Sequence, residues 1–432
     1  MIGVFRDSWA LLLGLMLLML GNGLQGTLLG VRGAIEGMTP TALSFVMSAY
    51  FVGILIGSRL TPLMIRNVGH VRVFAALASL ISAGFLLYAA FPDPWVWAGV
   101  RLIVGFSFCG VYVVSESWLN DRATNETRGQ AMSAYMLVQM VGIVAAQGLL
   151  TLADPAGFAL FALISALVSV AVAPMLLHAA PAPFFRTAGR MTLRRLYAAS
   201  PLGCVGVFIL GGVISAMFGM GAVYGAQAGL TITQISMFVG AIYLGGLLAQ
   251  WPIGWLSDRM DRRMLIVGCC AAAALAALFG ALTSGFWSSL AAAALVGAMG
   301  NPLYGLLIAH TNDFLDPEEM ASASGGMLFL NGVGAVSGPL VVGALMDLAG
   351  PGAYFAYFAG LFVAIAGYGA WRMTRRPAPD AATTGPHASV LASASPVAVE
   401  IVTEIAAESA QTDDQPTDGQ EDARTPPAAA AS

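Results

Sequence analysis

Between residues 9 and 372 the chain is a succession of largely apolar runs about 20 residues long, separated by short polar loops. At a rise of about 1.5 Å per residue, one such run as a helix crosses a hydrocarbon core about 30 Å thick. Composition agrees: 58% of the 432 residues are hydrophobic and 10% charged, whereas soluble domains carry about 25% charged residues. The repeated run dictates a multi-span membrane protein. Continuous runs specify helices, because barrel strands alternate in polarity over about ten residues.

Twelve spans fit, at 9–31, 41–62, 73–91, 95–118, 129–152, 157–178, 201–223, 234–256, 264–284, 287–310, 321–346 and 352–372. The first exceeds a signal-peptide core and no small-residue cleavage site precedes the second, so it is read as a retained helix. There is no lysine, and with the N-terminus inside, only Arg32 and Arg101 of the nineteen arginines lie toward the outer face. The positive-inside rule then makes both termini cytoplasmic, which an even number of spans requires.

The net charge of −4 belongs to the tail, since residues 375–432 hold nine acids and three arginines. That segment turns to Ala, Pro, Thr, Ser, Asp and Glu with almost no aromatics, and is expected to lack a packed core. No basic cluster of a nucleic-acid binder is present. Cys109, Cys204, Cys269 and Cys270 all fall in predicted spans, which argues against disulfides and zinc-ligand spacing.

The longest internal loop, residues 179–200, divides the spans six and six, giving halves at 1–178 and 201–374 and an acidic tail at 375–432. Arg186, Arg190 and Arg194 recur every four residues there, consistent with a short basic helix at the headgroups. A shift of 192 residues sets the second span and its loop against the eighth, pairing Arg66 with Asp258 and His70 with Arg262, and also pairs Asn120 with Asn312. Parallel six-helix repeats suit a transporter that rocks one half against the other.

The eighth span ends in GWLSDRMDRR, Gly254 to Arg263. This resembles the loop signature of the major facilitator superfamily, approximately G-x-L-x-D-R-x-G-R-R. Gly254, Leu256, Asp258, Arg259, Arg262 and Arg263 match, and Asp261 replaces the usual glycine. An aspartate among arginines at a helix end can latch one conformation through charge-assisted bonds and release it in another. The copy after the second span is degraded, with Arg66 in place of the aspartate and His70 in place of an arginine. Arg101 and Gly105 fit the superfamily's R-x-x-x-G pattern in the fourth span. ESWLNDRATNETRG, from Glu116 to Gly129, together with QWPIGWLSDR, resembles the YcaD-like branch of bacterial permeases. The Gly-Pro of GVGAVSGPLVVG lies in the eleventh span and is read as close helix packing and a kink.

The resemblance implies a central cavity lined by spans 1, 4, 7 and 10. The polar residues there are Asn22 and Gln25, Arg101, Gly105 and Tyr112, Ser215, and Asn301 and Tyr304, which form the candidate substrate pathway. Arg101, Gly105, Tyr112 and Glu116 share one helical stripe, which should face protein or water. Arg101 and Glu116 stand about 22 Å apart along the helix, so they do not touch. Arg101 has two readings: an interfacial or backbone-bonding arginine, or a contact for an anionic substrate or proton carrier. Glu116 pairs with Arg122, Arg128 or loop arginines as a gate, binds a proton, or is a simple helix-end charge. With Arg128, Gly254, Asp258, Arg259, Arg262 and Arg263 it forms the candidate gating and coupling set. His310 is read as structural.

The expectation is an all-α integral membrane protein of the bacterial inner membrane, with twelve helices in two six-helix halves and both termini cytoplasmic. It moves a small-molecule substrate by alternating access, driven by protons, as a monomer in the lipid bilayer. No cofactor, metal site, enzyme activity or nucleic-acid partner is expected. The competing reading is a membrane sensor or scaffold that keeps this fold and signals through its acidic tail.

Overall fold

The computed structural model describes residues 9–122, 127–177 and 191–375. The described residues are helical, with no strand among them. In chain order the helices are α1 (Trp9–Ile35), α2 (Pro40–Val68), α3 (His70–Ala90), α4 (Pro94–Arg122), α5 (Arg128–Leu149), α6 (Ala159–Leu177), α7 (Leu193–Ala199) and α8 (Pro201–Gln227). They continue as α9 (Ile232–Ser257), α10 (Arg262–Leu282), α11 (Phe286–Gly300), α12 (Leu303–Asn312), α13 (Pro317–Ala349) and α14 (Ala353–Met373). Among the described residues, eleven helical segments are long and apolar enough to cross a membrane, and the shorter apolar stretch Ala159–Pro174 in α6 completes the twelve-span pattern.

The tenth predicted span, 287–310, is not one regular helix. It is interrupted between α11 and α12 at Asn301–Pro302. Proline has no N–H to continue the ladder. The Asn301 amide nitrogen Nδ2 also donates to the Gly297 carbonyl at 2.8 Å, sharing it with the Asn301 backbone N–H.

The described part of the central loop holds a short helix, α7, which contains Arg194. It starts at Leu193 behind a Thr192 cap, and its Arg195 is ion-paired with Glu319 at the start of α13. Arg186, Arg190 and the tail beyond Arg375 lie outside the described residues.

In the first six spans α1 packs on α5 and α6, α2 on α4, and α3 on α4 and α6. The same pattern recurs 192 residues later, where α8 packs on α13 and α14, α9 on α11, and α10 on α11 and α14. Glycines permit these approaches. A Cβ on Gly105 of α4 would collide with the Tyr50 carbonyl oxygen of α2, and one on Gly53 of α2 would collide with the Leu102 carbonyl oxygen of α4. In α13, Gly334 and Gly338 lie as tightly on Phe208 and Gly212 of α8, so the Gly-Pro segment is a packing surface. Such small-residue contacts hold helices together where lipid supplies no hydrophobic drive between them.

Candidate functional site

The bundle has an arginine-rich end, bearing the N-terminus of α1 and the α9–α10 loop, and an arginine-poor end, bearing the α1–α2 loop. The two sets of six spans meet through α1 and α8, α2 and α13, and α5 and α9. Several of their close approaches lie toward the arginine-poor end. A Cβ on Gly30 would lie 2.8 Å from the Ala222 Cβ, and one on Gly343 would lie 2.5 Å from the Ser44 Cβ and 2.9 Å from the Pro40 carbonyl oxygen. Asp347 of α13 accepts the Thr41 N–H at 2.9 Å in the first turn of α2. Ser236 of α9 donates to the Gln147 carbonyl of α5 at 2.6 Å. The α2–α13 seam then continues through Leu55 and Gly332 to Arg59, whose guanidinium lies 4.9 Å from the centre of the Phe329 ring.

Next to this seam the structure assembles a polar cluster from α1, α2 and α4. Asn22 Nδ2 donates to the Tyr112 hydroxyl at 2.6 Å, the Tyr50 hydroxyl donates to Asn22 Oδ1 at 3.2 Å, and Gln25 Nε2 donates to the same oxygen. Three of the predicted pathway residues, Asn22, Gln25 and Tyr112, are thus joined in one network, together with a tyrosine that sequence reasoning did not single out. Arg101 stands beside them with 4% exposure, its guanidinium 5.1 Å from the centre of the Tyr50 ring. Its Nη2 donates to the Met47 sulfur at 2.9 Å, and its buried Nε–H has no acceptor. An interfacial, snorkelling arginine would reach water; this one is enclosed by protein.

The remaining pathway residues take other positions. Gly105 faces the α2 backbone. Ser215 donates within its own helix to Gly212 at 3.3 Å and lies against Gly338. Asn301 packs on Gly246 of α9, while Tyr304 is fully buried with a hydroxyl that finds no partner. From the second half it is Phe218 and Tyr243 that approach Arg101: their rings stack at 4.1 Å, and the Tyr243 hydroxyl lies in electrostatic reach of the guanidinium.

Toward the arginine-rich end, Glu116 is fully buried and accepts the Tyr135 hydroxyl of α5 at 2.5 Å. Arg128 is the first residue of α5, half-buried. The side chain of Arg122 lies outside the described residues.

The α9–α10 loop is a compact charge network. Gly254 is buried in the last turns of α9, and Asp258 caps that helix 3.9 Å from Arg262 Nη2. Arg259 turns back to the Trp255 carbonyl at 3.0 Å and lies over the Trp255 ring. Asp261 caps α10 by accepting the Arg263 N–H at 2.9 Å, and Arg263 Nη2 also donates to it at 2.9 Å. Burial alone would raise the Asp261 pKa, but the bonds from Arg263 outweigh it and hold the carboxyl below its usual range. Arg262 is ion-paired with Asp313 at the end of α12 and donates to the Ala309 carbonyl at 3.3 Å. Burial pushes the Asp313 carboxyl up to about 6, against the pull of Arg262 and with a further push from Asp261.

The sequence model of the Major Facilitator Superfamily matches residues 11–231 and 202–407, which together run across all twelve spans. The chain belongs to the major facilitator superfamily. Relatives in this superfamily include an uncharacterised MFS-type transporter of Enterobacter sp. (strain 638), 27% identical over 354 residues, covering 79% of this chain and 89% of the relative. The uncharacterised MFS-type transporter YcaD of Escherichia fergusonii is 25% identical over 346 residues, with the same coverage of 79% and 89%. Among solved structures, the nucleoside transporter NupG (D323A mutant) superposes with a TM-score of 0.73 at 14% identity, covering 84% of this chain and 98% of that one. The protein is a multi-pass membrane transporter of the YcaD-like branch.

Within this superfamily frame, the partner of Arg262 was the main residue that sequence reasoning missed. Asp313 follows Asn312, whose pairing with Asn120 under the 192-residue shift marked this helix end as a repeated position. Tyr50 and Tyr135 carried no comparable signal, since a tyrosine in an apolar span reads as core.

Proposed function

We propose that the protein is an alternating-access secondary transporter for a small solute, coupled to protons, in the bacterial inner membrane with both termini in the cytoplasm. The observation that carries this reading is the set of close cross-half approaches at the arginine-poor end, beside a buried polar cluster built at the seam. By the positive-inside rule that end is extracytoplasmic, so this conformation is closed toward the outside. The α9–α10 network with Asp313 is a latch at the cytoplasmic end, able to bias one conformation over the other. Glu116 is the candidate proton carrier: it is buried, it lies on the stripe that bears Arg101, and Tyr135 orients it.

A double variant, Gly240→Cys with Gln147→Cys, tests the movement, since a Cβ on Gly240 of α9 would lie 3.8 Å from the Gln147 Cβ of α5, a spacing that a disulfide accepts. The four native cysteines are buried, so oxidation should join the new pair and hold the arginine-poor end shut. Uptake of a panel of radiolabelled small solutes into proteoliposomes should stop on oxidation and return on reduction. Unaltered flux through the cross-linked protein would refute alternating access at this seam. Flux that is equal with and without an imposed pH gradient would refute proton coupling.

A further inference from the structure

Arg101 brings a permanent charge into the seam between the halves, and the groups around it are neutral. They are Tyr88 of α3, the Met47 thioether and Tyr50 ring of α2, Gly26 of α1, and the Phe218 carbonyl and Tyr243 of the second half. A guanidinium has five N–H donors, and a thioether is a weak acceptor. Arg101 makes no ion pair with any described carboxylate, and its Nε–H is buried without an acceptor. A Cβ placed on Gly26 would make ordinary contact, at 3.8 Å, with both Arg101 Nη2 and the Phe218 carbonyl oxygen, so this glycine leaves a methyl-sized gap between the charge and the opposite half. Close by, the buried Gln25 Oε1 is an acceptor without a donor, which a hydroxyl on the solute would meet and its carboxylate would not.

We propose that Arg101, with Tyr50 and the Asn22–Gln25–Tyr112 cluster, binds the carboxylate of a small organic monoanion with an aromatic or apolar body. The assignment rests on the transporter reading and adds the substrate class to it. One uncompensated cation calls for one negative charge, and the planar guanidinium fork matches a carboxylate in two parallel hydrogen bonds. The Tyr50 ring, which the guanidinium covers, and the stacked Phe218–Tyr243 pair supply the apolar carbon against which the body of the solute would pack. A doubly charged phosphate ester would bring a second negative charge with no cation to meet it. Because α2, α4, α8 and α9 all border this position, rocking the halves apart changes the contacts on the bound anion.

The test uses the purified full-length protein with benzoate, 4-hydroxybenzoate and the neutral isostere benzamide. A ligand of the folded state raises the unfolding midpoint in proportion to the logarithm of its concentration above Kd. Both carboxylates should give a saturable rise and benzamide none. Arg101→Lys, which keeps the charge and loses the fork, should weaken the apparent affinity at least about tenfold, and Arg101→Gln should abolish the response. Equal stabilisation by benzamide, a carboxylate response that survives in Arg101→Gln, or no response of the wild type up to about 10 mM carboxylate would overturn the proposal. Proteoliposome flux separates the two readings. Carboxylate protection without flux leaves the anion site standing and removes transport, whereas flux of a neutral solute that Arg101→Gln leaves unchanged does the reverse.

Discussion

Arg262, which opens α10, is ion-paired with Asp313 at the end of α12, with side-chain exposures of only 5% and 3%. Removing one member of a buried pair strands the other charge at a cost of about 3–5 kcal/mol, whereas replacing both with apolar groups is often neutral. Arg262→Met is therefore expected to lower the unfolding midpoint in detergent strongly, and adding Asp313→Leu should recover much of the loss. Single and double variants of equal stability would show that the two side chains are not coupled.

Asp313 also gives the latch a pH dependence. Its carboxyl is raised to about 6 by burial, above the ordinary value of about 3.9. The folded chain thus holds this proton more tightly than the unfolded chain. Its contribution to stability is complete below about pH 4 and is lost as pH rises through about 6, a change of order 2–3 kcal/mol. Asp313→Asn should remove that component from the pH dependence of thermal unfolding between about pH 4 and 7.

At the opposite end, Asp347 caps the first turn of α2 across the seam. A cap is worth about 1 kcal/mol, which is about a five-fold change in an equilibrium constant. Asp347→Ala should raise the population open at the arginine-poor end by about that factor, read as spin-label distance distributions between the α1–α2 loop and the end of α13.

Two glycines separate folding from gating. A Cβ on Gly105 meets the Tyr50 backbone within one half, so Gly105→Ala should cost about 1–3 kcal/mol of stability. A Cβ on Gly343 meets Ser44 and Pro40 of the other half, so Gly343→Ala should instead wedge the seam and raise labelling of a cysteine placed at Ser44. If Gly343→Ala only unfolds the protein, closure at this end is not a separable step.

Glu116→Gln keeps the shape of the side chain and its hydrogen bond to Tyr135 while removing the titrating group. Transport that depends on pH in the wild type should become flat in this variant. An unchanged pH profile would remove Glu116 as the proton carrier.

Lengths of apolar runs, the distribution of arginines and the GWLSDRMDRR segment were enough to specify a twelve-helix membrane protein, because each is a local property that lipid imposes directly on the chain. The same local reasoning found Arg101, Glu116, Tyr112 and the α9–α10 arginines, since polar groups in an apolar span are conspicuous. It did not show what those groups touch. That Tyr50 links Asn22 to the Arg101 face, that Tyr135 lies 2.5 Å from Glu116, and that Arg262 finds Asp313 are pairings between different helices. Ser215 and Asn301 share the same polarity and predicted span faces, yet close glycine contacts turn them toward neighbouring helices. Which helix approaches which, and how closely, depends on the packing of small residues against one another, and only the tertiary structure decided it.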